Sequence, residues 1–529
     1  MSVKITPRVE MDFGGGWVDV SEDVVSGVVA EWGVHGSTLK DRVADVGTMT
    51  FTVDNSVSNT GGVRGYYSPG HESARSGFVL GAPARLVLNH ALFGDKVKWV
   101  GTVESVKPVP GVENPSSEVH CVDWMDESAR AKLSGLAVQE DVQSDEVFEL
   151  LMAAVARQPP GGFRAGSGSE VYGFALDTAQ DESSRILSEL QKLALSELGF
   201  VYVSAGTLVF EGRSRRSGAG TVRFAMHEDE EILEMTPTSY ARDAVANRAQ
   251  VSVHPRRVDA DTETVLFNLG SAVEIARNTS VTIKCPYRDP NQQAQRVGGM
   301  DMVTPVATTD YSFNTQKNGS GADITAQLTV DATFGGNAAV LVVTNGGPAD
   351  GWIPANGLQL RGRGLYDFEP VFSDIADQDS VDDFGENVFT YDMPYQSSPA
   401  AAFDLAWFIL GSMKNPRPGV ESVSFLANWS DEVAEQAFQL EISDRVSITA
   451  PTLGLDGVQY FVNGMRFDVS ISGVVVVTWD LARADVTQYW QLEVAGRTEL
   501  DETTVLGYGL FVPRWILDTS ELGVETFLN

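Results

Sequence analysis

Cysteine, long apolar runs and a leader-like N-terminus are scarce or absent in this 529-residue sequence. Its two cysteines, Cys121 and Cys285, are too far apart to build a disulfide framework or a zinc site. Apolar stretches such as Gly473–Val477 and Ala338–Val343 fall far short of the ~20 residues that a membrane-spanning helix needs. The first residues lack the charged and apolar regions of a signal peptide. The sequence therefore predicts a soluble protein, made in a cytoplasm and not inserted in a membrane.

Lysine and arginine are also few compared with acidic residues. The chain has 38 lysines and arginines against 72 acidic residues, a formal net charge of −34. Tight binding to a phosphate backbone needs clustered cations, so this balance argues against a nucleic-acid-binding protein. It leaves open passing contact with DNA, because acidic walls keep a conduit free of sites that would hold the DNA. Simple solubility, or a salty environment, explains the same charge equally well.

No motif for catalysis stands out, neither a phosphate-binding P-loop nor a Gly-x-Ser-x-Gly nucleophile turn. The His-Glu-Asp-Glu-Glu cluster at 227–231 has Glu231 where a zinc-protease helix needs its second histidine. The acidic run at 374–383 lacks the glycine and terminal glutamate of a calcium loop. Adjacent His120 and Cys121 point to opposite faces of a strand and cannot form a dyad. We therefore expect neither an enzyme nor a bound cofactor or metal.

The sequence is instead rich in short alternating segments that are typical of β structure. After Gly47, the apolar residues Met49, Phe51 and Val53 alternate with threonines, which predicts a strand with one buried face. A Gly/Ser/Pro-rich loop follows, from Ser56 to Gly81, and a loop of that length in a compact domain is usually functional or held by a partner. We predict an assembly loop, ordered only against a neighbouring subunit, whose candidate contact residues are Tyr66, Tyr67 and Pro69.

The chain is too long for one hydrophobic core and should divide into several domains. The composition and the many short strands predict a mainly β protein with α+β elements. The predicted units are a β domain at 1–125, a mixed α/β domain at 126–244, a second β domain with a helix at 245–275 plus 369–490, an inserted β-sandwich at 276–368 and a C-terminal extension at 491–529.

Helix signals mark the middle domain. Ser144 fits an N-cap, with acidic residues in the turn that follows it. Thr178–Asp181 resembles a capping box for a second helix, which Gly199 would end. Strand, tight turn and strand follow directly, from Phe200 to Arg213.

A further helix is predicted near residue 400. Pro399 fits its first position and Gly411 its end. Phe403, Trp407 and Leu410 are spaced to share one face.

These segments, taken in order, resemble the tail-tip or baseplate-hub proteins of long-tailed, siphovirus-type bacteriophages. The alternating strand and Tyr-Ser-Pro loop resemble the start of such hubs, and the Gly199–Arg213 unit resembles their second cassette. The third cassette is an acidic element ending at Gly385, a Pro-Tyr step at Tyr395, a Pro-rich bend, an Asp-Arg-Val strand at Asp444 and the Trp-x-Leu strand at Thr478. The resemblance covers most of the chain outside residues 276–368, through motifs that are structural.

The resemblance implies a structural virion protein. It implies two tail-tube-like β-barrel domains per chain, so that a homotrimer matches a six-fold tube. The implied partners are the distal tail protein, the tail-tube proteins and other tail-tip or fibre proteins, with genomic DNA in transient passage. The protein would be assembled in the host cytoplasm and located at the tail tip.

Two other functions remain open. One is a peripheral tail adhesin that binds a receptor or a host cell-surface glycan. Aromatic rings offer flat apolar area to sugars, and those of the insertion are candidate glycan or partner contacts, although burial in the sandwich core explains them more simply. These candidates are Tyr311, Phe313 and Trp352. The other function is a tail-associated cell-wall hydrolase, which the short chain after the hub-like region disfavours.

Overall fold

The computed structural model describes residues 3–484, apart from residues 37, 112–113, 134–135, 178–183, 217–219 and 261. Strands hold 44% and helices 16% of the chain, in several separate sheets, so the prediction of a mainly β, multidomain protein is confirmed. The predicted capping box at 178–181 and the extension at 491–529 lie outside the described residues.

Thirty strands and six helices are described. The strands of the first half are β1 Ile5–Asp12, β2 Trp17–Asp19, β3 Val28–Gly33, β4 Thr48–Asp54, β5 Pro83–His90, β6 Gly94–Val109, β7 Ser116–Val122, β8 Gln139–Gln143, β9 Phe163–Ala165, β10 Val171–Ala175, β11 Phe200–Ser204, β12 Thr207–Glu211, β13 Phe224–His227, β14 Ile232–Pro237 and β15 Arg248–Val253. Those of the second half are β16 Arg256–Val258, β17 Thr264–Asn268, β18 Val273–Ile275, β19 Thr279–Pro286, β20 Gly298–Met300, β21 Leu328–Phe334, β22 Ala338–Asn345, β23 Gly351–Ile353, β24 Gln359–Asp367, β25 Val371–Ala376, β26 Val388–Met393, β27 Val420–Leu426, β28 Arg445–Ala450, β29 Leu455–Val469 and β30 Val475–Arg483. The helices are α1 Trp124–Arg130, α2 Ser144–Ala153, α3 Ile186–Glu197, α4 Gln378–Phe384, α5 Pro399–Met413 and α6 Asp431–Gln439.

One 13-stranded sheet joins the two ends of the chain. Its main path is β14-β27-β30-β29-β3-β4-β7-β6-β5-β1-β2, and β13 and β28 lie off this path. The junction is the antiparallel pairing of β3 with β29, in which Gly33 stands opposite Gly464. Gly33 has φ +125°, and a Cβ atom there would lie 2.5 Å from the carbonyl oxygen of Asn463. Only glycine tolerates both this dihedral angle and this approach of two backbones.

The hydrogen bonding of the described strands does not form the two separate barrels that the resemblance implies. Within the described residues the strand path is open, with β14 and β2 at its ends, and no closed barrel forms. The reason is the β3–β29 junction, because each unit uses a strand edge of the other instead of closing on itself. Strands β1 to β7 of the first predicted β domain and β27 to β30 of the second therefore share one sheet, whereas β15, β25 and β26 form a sheet of their own.

The middle of the chain carries α1 to α3 against two small sheets, β10-β8 and β11-β12-β9. Helix α2 lies where predicted, but Ser144 is its first residue and not its N-cap; the N-cap is Gln143, which shares a capping box with Glu146. Ser144 instead donates from Oγ to Glu197 Oε2 at 2.8 Å. Helix α3 ends on Leu198 in the left-handed conformation, not on Gly199. Gly199 is needed for another reason, since a Cβ there would lie 2.4 Å from the Glu211 carbonyl oxygen.

Helix α5 packs on the sheet β25-β15-β26 and has Pro399 in its first turn, as predicted. It continues through Gly411 to Met413. Phe403 and Trp407 share a face as predicted, with ring centres 6.3 Å apart, but they are 42% and 44% exposed, whereas Leu410 is buried. The buried face of α5 is formed by Ala402, Leu405, Ala406, Ile409 and Leu410.

Three hydrophobic cores are described. The largest lies under the 13-stranded sheet and α1 to α3 and α6, and another lies between α5 and β15. The third belongs to the insertion, where three small sheets enclose Leu266, Phe313, Leu341 and Leu360 among others. This core includes residues before the predicted start at 276, and the domain boundaries themselves stay predictions. Among the described helices, none has the length and apolar character required to cross a membrane.

Candidate assembly surfaces

The loop from Ser56 to Gly81 is anchored to its own chain. The Tyr67 hydroxyl is fully buried and donates to Asp23 Oδ2 at 2.5 Å, while the Tyr67 backbone N–H donates to Asn55 Oδ1 at 2.8 Å. The Arg75 guanidinium donates to the Tyr67 hydroxyl at 3.2 Å and covers the Phe13 ring at 3.9 Å. The expectation that the loop needs a neighbouring subunit for order is therefore wrong for its inner side, because Asp23 and Asn55 supply the anchors.

The outer side of this loop differs from its inner side. Of the three predicted contact residues, Tyr67 is buried, Tyr66 is half-buried against it, and Pro69 is exposed. Exposed aliphatic side chains lie on the same segment, and these are Val57, Val63, Val79 and Leu80. Pro69 and part of Tyr66 are accessible to a partner, whereas Tyr67 holds the loop in place.

Removing the Tyr67 hydroxyl tests this anchor. Asp23 is 2% exposed, so Tyr67→Phe withdraws one donor from a buried carboxylate. We expect the free energy of unfolding to fall by about 1.5–3 kcal/mol, as for other buried hydrogen bonds to charged groups. Urea unfolding followed by tryptophan fluorescence measures it. Tyr66→Phe is the matched control, and an equal loss in both variants would contradict the special role of Tyr67.

The aromatic candidates of the insertion do not form one face. Phe313 is fully buried, and a Cβ on Gly351 would lie 2.4 Å from its ring. Tyr311 and Trp352 are both half-buried. Trp352 is held by two backbone hydrogen bonds to Asn314.

The exposed side of Trp352 has a cation beside it. The Lys317 ammonium lies 5.5 Å from the centre of the Trp352 ring, within the range of a cation–π contact. An open cleft next to it is lined by Gln316, Lys317, Asn318, Ala272 and Ala355. The site combines one aromatic surface with amide and ammonium donors, which is the chemistry that recognises a polar sugar.

A second cleft, of about 570 Å³, lies between the loop after β3, helix α3 and the open face of β15 and β26. Its wall includes Lys40, Arg42, Asp41 and Asp392, so its charges nearly balance. Among the described residues, no group of three or more histidine, cysteine or acidic side chains is arranged to hold a metal ion.

Sequence reasoning missed the buried charges at the junction between the ends of the chain. Lys98 is fully buried in β6 and donates to the carbonyl oxygens of Phe438 and Leu440, both at 3.3 Å. Burial lowers the pKa of Lys98, and Glu441, 3.8 Å away, opposes this shift. The acceptors come 340 or more residues later in the chain, so no local pattern could identify them.

No protein-family model matches the sequence, and no curated protein matches it. Solved structures with a similar fold include the 43 kDa tail protein of prophage MuSo2 from Shewanella oneidensis, at 9% identity and TM-score 0.48, covering 91% of this chain and 99% of that one. A tail protein from Neisseria meningitidis has 10% identity and TM-score 0.45, covering 91% and 96%. Prophage tail protein gp18 from Listeria monocytogenes has 10% identity and TM-score 0.40, covering 90% and 94%. At such identities and TM-scores, these likenesses do not assign a function.

A histidine and an aspartate form a pair beside the β3–β29 junction, and this pair is expected to titrate. His35 Nδ1 lies 3.0 Å from Asp480 Oδ2 on β30, and this hydrogen bond raises the pKa of His35, with help from Asp45 and Glu31 against burial. Because the folded pKa exceeds the unfolded value of about 6.5, the pair stabilises fully below that pH and its contribution is lost as pH rises through the folded pKa.

We expect the difference in melting temperature between wild type and His35→Gln to depend on pH. The melting temperature of wild type should exceed that of His35→Gln at about pH 6, and the gap should shrink by about pH 8.5. Both side chains are partly exposed, so the effect is modest. A gap that is constant over this range would contradict the pairing.

Proposed function

We propose that this chain is the structural hub subunit of the tail tip of a siphovirus-type bacteriophage, acting as a homotrimer and without enzymatic activity. The observation that carries the proposal is the pairing of β3 with β29, which unites the first and last β units of the chain in one sheet. Two joined β units in each chain support a hub, although within the described residues they form one open sheet and not the two closed barrels that the resemblance implies. Three such chains would present six units to a six-fold tube.

The proposed position explains the charge and the partners. On the tail axis the trimer would join the distal tail protein and the tail tube to fibres or a spike. The DNA would pass through it at ejection, and a formal charge of −34 per chain would keep the path free of tight contacts with phosphate. The protein would be located at the tail tip of the virion.

The test has two parts. The purified chain is weighed by light scattering coupled to size exclusion, where three times the chain mass of 57.1 kDa is expected. Particles carrying a tagged copy are then imaged, and axial density with three-fold symmetry is expected. A monomer in solution together with several peripheral copies per particle would contradict the hub.

The second candidate function is that of a glycan-binding adhesin, which would place several copies at the periphery of the particle. The half-exposed ring of Trp352 next to Lys317 favours it. Quenching of tryptophan fluorescence by host surface polysaccharide, in wild type but not in Trp352→Ala, would support the adhesin.

A further inference from the structure

Helix α5 is apolar on both of its sides. Asp404 is the one charged residue among its 15, and a helix that is apolar all round is typical of a protein interior. One side packs on β15 and β25, through Leu405 and Ile409 among others. The other side carries Phe403 and Trp407, which are 42% and 44% exposed. The sheet therefore covers one side of a helix whose composition calls for cover on both.

We define the outer face of α5 as the stripe Ala400, Phe403, Trp407 and Gly411, whose members follow one another at three- and four-residue steps. The two rings have their centres 6.3 Å apart. Ala400 and Gly411 are small and exposed, so the backbone of a covering segment can lie close to the helix at both ends of the ring pair. Aromatic side chains bury about 150–250 Å² each when they are covered, which makes this stripe a docking surface for an apolar segment.

The described part of the chain ends beside this surface. Arg483, at the end of β30, donates from Nη1 to the Pro418 carbonyl oxygen at 2.7 Å. The preceding residue in the sequence, Arg417, donates from Nη2 to the Gly411 carbonyl oxygen at 2.9 Å. Gly411 lies four residues, about 6 Å along the helix axis, after Trp407. Two hydrogen bonds thus connect the end of β30 to the outer face of α5.

The sequence beyond this point contains an apolar run. Residues 485–529 lie outside the described residues. Within them, residues 505–517 read Val-Leu-Gly-Tyr-Gly-Leu-Phe-Val-Pro-Arg-Trp-Ile-Leu, and Arg514 is the one charged residue of the run. Residues 485–504 separate the run from β30, and a stretch of that length spans up to about 66 Å, so the run can reach Trp407.

We propose that the apolar run 505–517 docks on the outer face of α5 in the same chain and covers Phe403 and Trp407. The tether favours this occupant over a second copy or another protein, because a linked segment reaches effective concentrations on the order of millimolar. The contact would complete the apolar surroundings of α5 from the side opposite the sheet. It would also leave this face open to another protein only when the run is displaced.

The first experiment identifies what lies on Trp407. The photoreactive residue p-benzoylphenylalanine replaces Trp407 in the purified full-length chain, which is then illuminated, run on a denaturing gel and digested for mass spectrometry. We expect a crosslink to residues 505–517 in a band that stays at the chain mass of 57.1 kDa.

The matched control places the same photoreactive residue at Trp429. This side chain is 62% exposed. It lies near the start of β30, where the Ala427 N–H donates to the Val475 carbonyl oxygen, whereas the proposed contact lies near the end of that strand. No crosslink from this position to residues 505–517 is expected.

The second experiment changes the run and leaves every described residue as it is. Phe511→Ser with Ile516→Ser in the full-length chain should abolish the crosslink and increase the oxidation of Trp407 by hydroxyl radicals, which mass spectrometry measures. Phe527→Ser with Leu522→Ser is the control, since it removes similar side chains outside the run and should change neither result. Circular dichroism checks that each variant is folded, and Phe511→Ala replaces the double variant if that variant misfolds.

Each outcome decides the proposal. An intrachain crosslink to 505–517 that is lost in the Phe511→Ser, Ile516→Ser variant supports it. The same peptide in a band of twice the chain mass would place the run on a neighbouring copy and overturn docking within one chain. A crosslink to any other segment, or a Trp407 that is oxidised as readily as Trp429, would overturn it as well. None of these results bears on the proposed hub, which the native mass and the position in the particle test separately.

Discussion

Gly33→Ala is expected to lower the free energy of unfolding by about 2–5 kcal/mol, and the melting temperature with it. A left-handed dihedral angle costs a side-chain residue about 1–2 kcal/mol, and forcing a methyl group into a packed site costs about 1–3 kcal/mol more. At Gly33 the new Cβ would lie 2.5 Å from the Asn463 carbonyl oxygen and 2.6 Å from Gly464 Cα, both backbone atoms that cannot rotate away. The strain falls on the β3–β29 junction, and circular dichroism during heating measures its effect.

The control for Gly33→Ala is Gly454→Ala. Gly454 also has a positive φ, +70°, but nothing lies within 4 Å of the position that a Cβ atom would take there. This variant should lose only the dihedral contribution, about 1–2 kcal/mol. If both variants melt at the same temperature, the close approach at the junction does not limit stability.

Excising residues 258–366 is expected to leave the rest of the chain folded. Strands β15 and β25 pair antiparallel with Val253 opposite Val371, and β16 and β24 extend this hairpin, with Arg256 opposite Asp367. A short Gly/Ser linker can therefore replace what lies between, since closing a loop at adjacent strand ends costs little. Keeping Arg256 preserves its buried ion pair with Asp177.

The contrasting variant replaces residues 277–367. It removes β24 but keeps Leu266, Leu269 and Ile275, which belong to the core of the insertion. Each loses about 2 kcal/mol of burial, so we expect aggregation and binding of a hydrophobic dye. Equal solubility and equal melting of the two excisions would show that the boundary does not matter. Misfolding of both would show that the insertion is integral to the fold of the remaining chain.

Local patterns predicted the elements better than their connections. The alternation at Met49 to Val53 and the proline at 399 correspond to a strand and a helix start because both depend on neighbouring residues. The joining of the two β units depends on Gly33 and Gly464, and a glycine in a sequence does not reveal which backbone approaches it. The spacing of Phe403 and Trp407 predicts a shared face but not its exposure, because spacing alone does not say which side of a helix meets a sheet.

For the candidate sites, too, the sequence predicts the local segments but not the contacts between them. Loop length and composition identified Ser56–Gly81, but its anchor Asp23 lies in an earlier segment, so the burial of Tyr67 was not foreseeable. Lys98 and its acceptors Phe438 and Leu440 are at least 340 residues apart in the chain, so their contact appears only after folding.

The β3–β29 junction also constrains how the protein is made. Ribosomes add about 5–20 residues per second, and the partner of β3 emerges about 430 residues after it, so the nascent chain spends tens of seconds or more with that strand edge unpaired. During this time the buried side of β3, with Val28, Ala30 and Trp32, has only its N-terminal neighbours for cover. Slowing translation late in the chain should therefore increase co-translational aggregation, and a chaperone that shields strand edges should reduce it.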